Sequence, residues 1–195
     1  MSDIGFFRQR SANQCLLDAS RMAIPRKLFL VLIFEGEITI IIADTNLGKS
    51  ILAVQISNDI AKDQIVLYLD LELSDKQFER RYSEEFENHF VFNENLIRVD
   101  FSDNFSIPEG KSYDDYFIES LVKLVETTGA RVVVIDNMTK LTTADPDAAP
   151  KAKPLMDRLS ALKKERCITL IPPEPPRKGD DSPPTSLNHL LGSQR

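Results

Sequence analysis

Three groups of residues carry the types and spacing that chemistry needs. The first is the run Ala43-Asp44-Thr45-Asn46-Leu47-Gly48-Lys49-Ser50, which ends in Gly-Lys-Ser. It follows the pattern G-x-x-x-x-G-K-[ST] at every fixed position but the first, where Ala43 replaces glycine. Alanine is compatible with that position if its φ stays negative. Such a loop binds phosphates: its amides and the positive end of the following helix face the anion, a lysine adds charge, and a hydroxyl reaches Mg²⁺. The candidate nucleotide-binding set is therefore Ala43, Asp44, Thr45, Asn46, Leu47, Gly48, Lys49, Ser50 and Ile51. The second group is Asp136, which closes an apolar run and is placed to share a Mg²⁺ shell with Ser50. The third is Glu72, just past another apolar run, where a carboxylate can polarise a water attacking a γ-phosphate. Asp70 is its near rival for that role, or a group that orients water on Mg²⁺.

These residues need a scaffold that holds strand ends beside a helix start, and the chain supplies one. Ile38-Thr39-Ile40-Ile41-Ile42 is β-branched throughout and too short for a helix, so it reads as a buried strand before the loop. Ile51, Leu52, Val54, Ile56 and Ile60 suggest one face of a helix starting near Lys49. Further strands are expected at 64–70, 96–100, 131–136 and 167–171. Between them lie helices at 75–86, with Phe78, Tyr82 and Phe86 as the buried stripe, at 113–126, capped by Gly129, and around Leu155, Leu159 and Leu162. Strands alternating with helices predict an α/β fold with a mostly parallel sheet covered on both faces. Asp136 would then emerge at the carboxyl edge of that sheet, where such folds bind ligands.

The chain has 195 residues, 42% of them hydrophobic and 28% charged, which suits one domain with a real core. Its net charge of −6 gives no global electrostatic case for binding nucleic acid. The two cysteines, Cys15 and Cys167, lack metal-ligand spacing and read as small buried apolar residues, with a disulfide between them as the alternative. Neither His89 nor His189 sits in an acid or cysteine pattern that suggests a metal or nucleophile site. The longest apolar run near the start, 28–34, is too short to span a bilayer. The N-terminus also lacks an apolar signal core, so a cytoplasmic protein with no membrane partner is expected. Residues 12–22 read as a short amphipathic helix stopped by Pro25. The stretch 138–150 reads as a polar loop, and the proline-rich 172–195 as a poorly ordered tail.

Taken together, Glu35-Gly36-Glu37, Ala43 to Ser50 with Ile51-Leu52-Ala53-Val54-Gln55-Ile56, Leu69-Asp70-Leu71-Glu72-Leu73-Ser74-Asp75 and Val134-Ile135-Asp136-Asn137 resemble the RecA-type ATPase superfamily. Within it they most resemble the RepA-like and DnaB-like branch of AAA-labelled ATPases carried by bacterial mobile elements. The resemblance covers about residues 25–170 and rests on the order and spacing of three motifs. It implies a RecA-like core that binds ATP and Mg²⁺ and assembles as a homo-oligomeric ring or filament; the residues themselves place that core at 35–171, with 1–34 either packed on its edge or forming a lid over the nucleotide base. By the same resemblance Lys49 and Ser50 match the P-loop pair, Asp136 the Walker B acid and Glu72 the water-activating glutamate. The implied partners are single-stranded DNA or a replication or mobilisation protein.

Two departures from that pattern stand out. The place of a polar sensor reads Ile171-Pro172-Pro173-Glu174-Pro175-Pro176-Arg177-Lys178, with Arg177 and Lys178 as the only candidate substitutes for a trans-acting basic residue. Past the segment Leu190-Leu191-Gly192-Ser193 such proteins continue into more strands, so a core truncated at its C-terminus is expected. The leading expectation is a Mg²⁺-dependent ATPase linked to DNA replication or mobilisation. Its alternatives are a nucleotide-binding module with little hydrolysis, a P-loop kinase, for which 138–150 lacks a lid arginine, and a DNA-binding partner in which nucleotide only fixes assembly.

Overall fold

In the computed structural model the described residues are 2–5, 7–42, 47–103, 105–136, 141, 152–166, 169–171 and 173–174. The loop residues Ala43, Asp44, Thr45 and Asn46 lie outside them. So do Cys167, His189, Arg177, Lys178, the 190–193 segment and nearly all of 138–150 and 172–195.

The chain opens with an antiparallel pair, β1 (Ser2–Ile4) and β2 (Phe7–Gln9). Helix α1 (Ala12–Ala19) starts where the Ser11 side chain accepts from the Gln14 amide at 3.1 Å. None of its residues is fully buried, Cys15 is half-buried, and Leu16 stays 71% exposed. The hairpin of β3 (Lys27–Phe29) and β4 (Ile33–Phe34) follows, turning through Leu30 at φ 49°. It sends Ile33, 1% exposed, into the core.

Strand β5 (Ile41–Ile42) is the short, paired part of the predicted 38–42 strand. After the loop, α2 (Lys49–Ile60) buries Ala53, Val54, Ile56, Ser57 and Ile60. This corrects the expected face. Ile51 and Leu52 point outward, because a contact stripe at 53, 56, 57 and 60 follows the helical repeat while 51 and 52 fall off it. The Ser57 hydroxyl sits in that apolar seam by donating to the Ala53 carbonyl at 2.6 Å.

Strand β6 (Val66–Asp70) is buried at all five positions. Helix α3 (Asp75–Arg81) begins with a capping box between Ser74 and Gln77. It ends earlier than the aromatic spacing suggests. Glu85 and Phe86 adopt φ of 50° and 65°, turning the chain into a hairpin of β7 (Ser83–Glu84) and β8 (Asn88–His89). Phe86 is therefore 44% exposed, under the Lys76 ammonium, and the rings of Phe90 and Phe92 join Phe78 and Tyr82 in its stead.

Strand β9 (Leu96–Val99) leads through a loop to α4 (Tyr113–Thr128), which Ser112 caps at its start and Gly129 closes in the left-handed region at φ 71°. Strand β10 (Val132–Asp136) is again wholly buried. Helix α5 (Ala152–Arg166), β11 (Thr169–Ile171) and β12 (Pro173–Glu174) complete the described chain.

The main sheet runs β11-β10-β6-β9, parallel throughout. One residue beyond β11, β12 pairs in parallel with β5, so the β11–β12 run joins the loop-bearing strand to β10. Period-two alternation splits the central strands between two cores. Leu67, Leu69, Val133 and Ile135 meet α4 and α5, while Val66, Tyr68, Val132 and Val134 meet α2 and the β3–β4 hairpin. Helices on both faces explain why β6 and β10 read as unbroken apolar runs. No helix among the described residues is long and apolar enough to cross a membrane.

This layering predicts a contrast between two leucines. Leu159→Ala empties a site that is 1% exposed and should cost about 2–5 kcal/mol of unfolding free energy. Leu16→Ala, on the exposed α1, should stay within about 0.5 kcal/mol. Urea titration followed by far-UV circular dichroism separates the two.

Candidate functional site

Parallel pairing sets Asp136 directly opposite Asp70 at the carboxyl ends of β10 and β6. Both carboxylates are buried, 4% and 2% exposed, on the face that α2 covers. Two buried acids so placed each need donors, and the structure gives them different ones.

Asp70 is held by a cation. Its Oδ2 accepts from Arg98 Nε at 2.9 Å, and its Oδ1 accepts from the Leu73 amide at 3.0 Å and the Glu72 amide at 3.4 Å. Arg98, from the neighbouring β9, also donates to the Leu73 carbonyl and to Asp75, each at 2.6 Å, and lies over the Phe78 ring. Partial burial works against the guanidinium charge. The hydrogen bonds to Asp70 and Asp75 outweigh it and raise the Arg98 pKa above its ordinary value. The turn 70–75 is thus tied down from inside. Glu72 stands on that turn with its residue surface exposed. Asp70, with both oxygens engaged in shaping the turn, is an anchor, and Glu72 is the acid presented to solvent.

Asp136 is held by a neutral group. Tyr68 Oη donates to its Oδ2 at 2.6 Å. Burial first, then the charge of Asp136, pushes the Tyr68 phenol far above the usual tyrosine range, so the proton stays on the phenol. The backbone carbonyl of Asp136 accepts from the Leu71 amide at 2.8 Å, stitching β10 to the same turn.

The phosphate-loop residues that are described sit at the head of α2. Gly48 is the N-cap at φ 78° and ψ 23°, a left-handed conformation that costs an L-residue about 1–2 kcal/mol. No atom lies within 4 Å of where a Cβ would go, so glycine is needed there for its backbone and not for space. Lys49 and Ser50 are half-buried in the first turn, and Leu47 and Ile51 are exposed. Because β5, β6 and β10 belong to parallel pairings, the end of β5, the Glu72 turn after β6 and Asp136 at the end of β10 share the carboxyl edge.

The donor set fits Mg²⁺ in one particular manner. Among the described residues no group of three or more His, Cys, Asp or Glu side chains could cage a metal. Mg²⁺ rarely uses such cages. It keeps waters and takes one or two protein oxygens together with substrate phosphates. The Ser50 hydroxyl and the Asp136 carboxylate are hard oxygen ligands of that kind.

Two contributors escaped the sequence reading, Tyr68 and Arg98. Each had a signal. A tyrosine inside a fully buried strand must place its hydroxyl on a partner, and a lone arginine within Leu96-Ile97-Arg98-Val99 must find an acid. Only the strand register says which acid each one meets.

Comparison with known proteins agrees with this geometry. The solved structure of a KaiC-like protein from the hyperthermophilic archaeon Pyrococcus horikoshii aligns with a TM-score of 0.57 at 17% identity, covering 74% of this chain and 63% of the other. The likeness is one of fold, RecA-like, and the chain spans less than two thirds of that protein's length. No curated protein matches the sequence. Residues 9–179 match the family described as AAA domain. With a loop ending in Gly48-Lys49-Ser50, a parallel sheet of RecA-like fold and a match over most of its length, the chain belongs to the AAA domain family.

Proposed function

We propose that this chain binds ATP with Mg²⁺ at the carboxyl edge of its sheet and hydrolyses it, in the service of DNA replication or mobilisation. The observation that carries the reading is the gathering of Gly48-Lys49-Ser50, buried Asp136 and exposed Glu72 on one sheet edge. In this reading Lys49 and the amides at the head of α2 hold the phosphates, while Ser50 and Asp136 hold the cation. Mg²⁺, when bound, would neutralise charge on the phosphates. Glu72, exposed on the turn that Asp70 and Arg98 anchor, orients the attacking water and receives its proton. The chain's work is positioning and electrostatics, which is what phosphoryl transfer to water mainly asks of a protein.

The link to DNA rests on the resemblance to RepA-like and DnaB-like ATPases. Assembly into a homo-oligomer has support from a physical feature, since Phe7, Leu16, Met22, Ile24 and Val31 in the N-terminal segment are each more than 60% exposed. The segment Ile171-Pro172-Pro173-Glu174-Pro175 favours a second reading, a nucleotide-holding module with slow turnover. Its sequence lacks the polar sensor residue common after that strand, and β12 within it pairs with β5.

Two substitutions test the site. Lys49→Ala should weaken binding of a non-hydrolysable ATP analogue at least about 100-fold, read by isothermal titration calorimetry, through loss of a charge-assisted phosphate contact. Glu72→Gln should bind the analogue as the parent does and lose about 10²–10⁴-fold in turnover measured by phosphate release with single-stranded DNA present. Undiminished turnover in Glu72→Gln removes Glu72 from the role of base. Background turnover in the parent protein, despite tight binding, selects the holding module.

A further inference from the structure

We propose that Tyr68 is a positioning residue for Asp136, fixing which carboxylate oxygen is offered to the phosphate-bound cation. The inference rests on the reading of Asp136 as a group beside that cation. Tyr68 stands on β6 opposite Val134, so its ring shares the α2-covered face with Asp136 two residues further along β10. From there the phenol reaches diagonally across the strand pair, and Oη meets Oδ2 at 2.6 Å, within the range of a charge-assisted O–H···O⁻ bond.

Packing alone would be served by phenylalanine. The ring is 3% exposed among Val66, Val132, Val134 and the buried face of α2, all apolar apart from Ser57. The hydroxyl adds one thing, the bond to Asp136. The terminal torsion of an aspartate is broad and roughly two-fold, so an untethered carboxylate samples several orientations. Tying Oδ2 to a buried, packed phenol removes that freedom and leaves Oδ1 as the oxygen available for the cation shell. The partner's neutrality matters as much as its position. Arg98 neutralises Asp70 with a full charge, whereas Tyr68 orients Asp136 and leaves its negative charge to attract a cation. Partners of this kind around a metal ligand are typically worth about 10–100-fold in metal affinity.

The test uses the full chain and a fluorescent non-hydrolysable ATP analogue, titrated at graded Mg²⁺ and again in excess EDTA. Tyr68→Phe should raise the Mg²⁺ concentration for half-maximal binding about 10-fold or more, with affinity in EDTA within two-fold of the parent. Tyr82→Phe is the matched control. It removes a hydroxyl from a half-buried ring of the same cluster that, unlike Tyr68, makes no hydrogen bond to Asp136, and it should leave the Mg²⁺ response at the parent value. In an Asp136→Asn background, Tyr68→Phe should add no further shift. A parent-like Mg²⁺ response in Tyr68→Phe, or an equal shift in Tyr82→Phe, overturns the positioning role and leaves the nucleotide site intact. A parent protein that binds the analogue equally with and without Mg²⁺ overturns the reading of Asp136 itself, and the role of Tyr68 with it.

Discussion

Two buried carboxylates placed opposite each other on adjacent parallel strands repel, and neither can be left without donors. The register of β6 with β10 creates that situation at Asp70 and Asp136, and the surrounding structure resolves it asymmetrically. Arg98 crosses from β9 to neutralise Asp70. Tyr68 reaches along the sheet to hydrogen-bond Asp136. Shifting either strand by one residue would turn its acid toward the α4 and α5 side, into the cluster of Leu67, Leu69, Val133 and Ile135. The register is therefore specified twice, by the apolar faces and by the polar pairs.

The same arrangement accounts for the turn that follows β6. Asp70 spends one oxygen on the amides of Glu72 and Leu73, and Arg98 takes the Leu73 carbonyl and the Asp75 carboxylate. Backbone and side chain are bound into one unit, so the exposed Glu72 stands on an anchored turn.

Much of this was legible before any coordinates. Val66 to Asp70 and Val132 to Asp136 are apolar runs whose length excludes helices, and both are buried strands. Gly129 and Ser74 sit where helix ends need them. The end of α3 was not legible. Phe78, Tyr82 and Phe86 have the spacing of a continuing helix, but the turn at Glu85 and Phe86 uses positive φ at residues whose types do not announce it. On α2 the apolar residues Ile51 and Leu52 suggest the wrong face, since side-chain type alone does not fix the phase of the buried stripe. The buried stripe includes the small residues Ala53 and Ser57, which allow close approach of helix to sheet. Tyr68 and Arg98 were invisible as site residues for a different reason. Their partners are 68 and 28 positions away, and only strand order brings them together.

Asp70 and Glu72 were rivals in the sequence because they are two residues apart and both acidic. Strand geometry separates them. Asp70 is the last residue of β6 and shares parity with Tyr68 and Val66, so its side chain must enter the α2-covered face, where a charge survives only if paired. Glu72 lies beyond the strand, where the chain has already left the sheet and parity no longer binds it. The acid nearer the core became the anchor because its burial demanded Arg98. The acid beyond the sheet carries no such demand, and its residue surface is exposed at the carboxyl edge of the sheet.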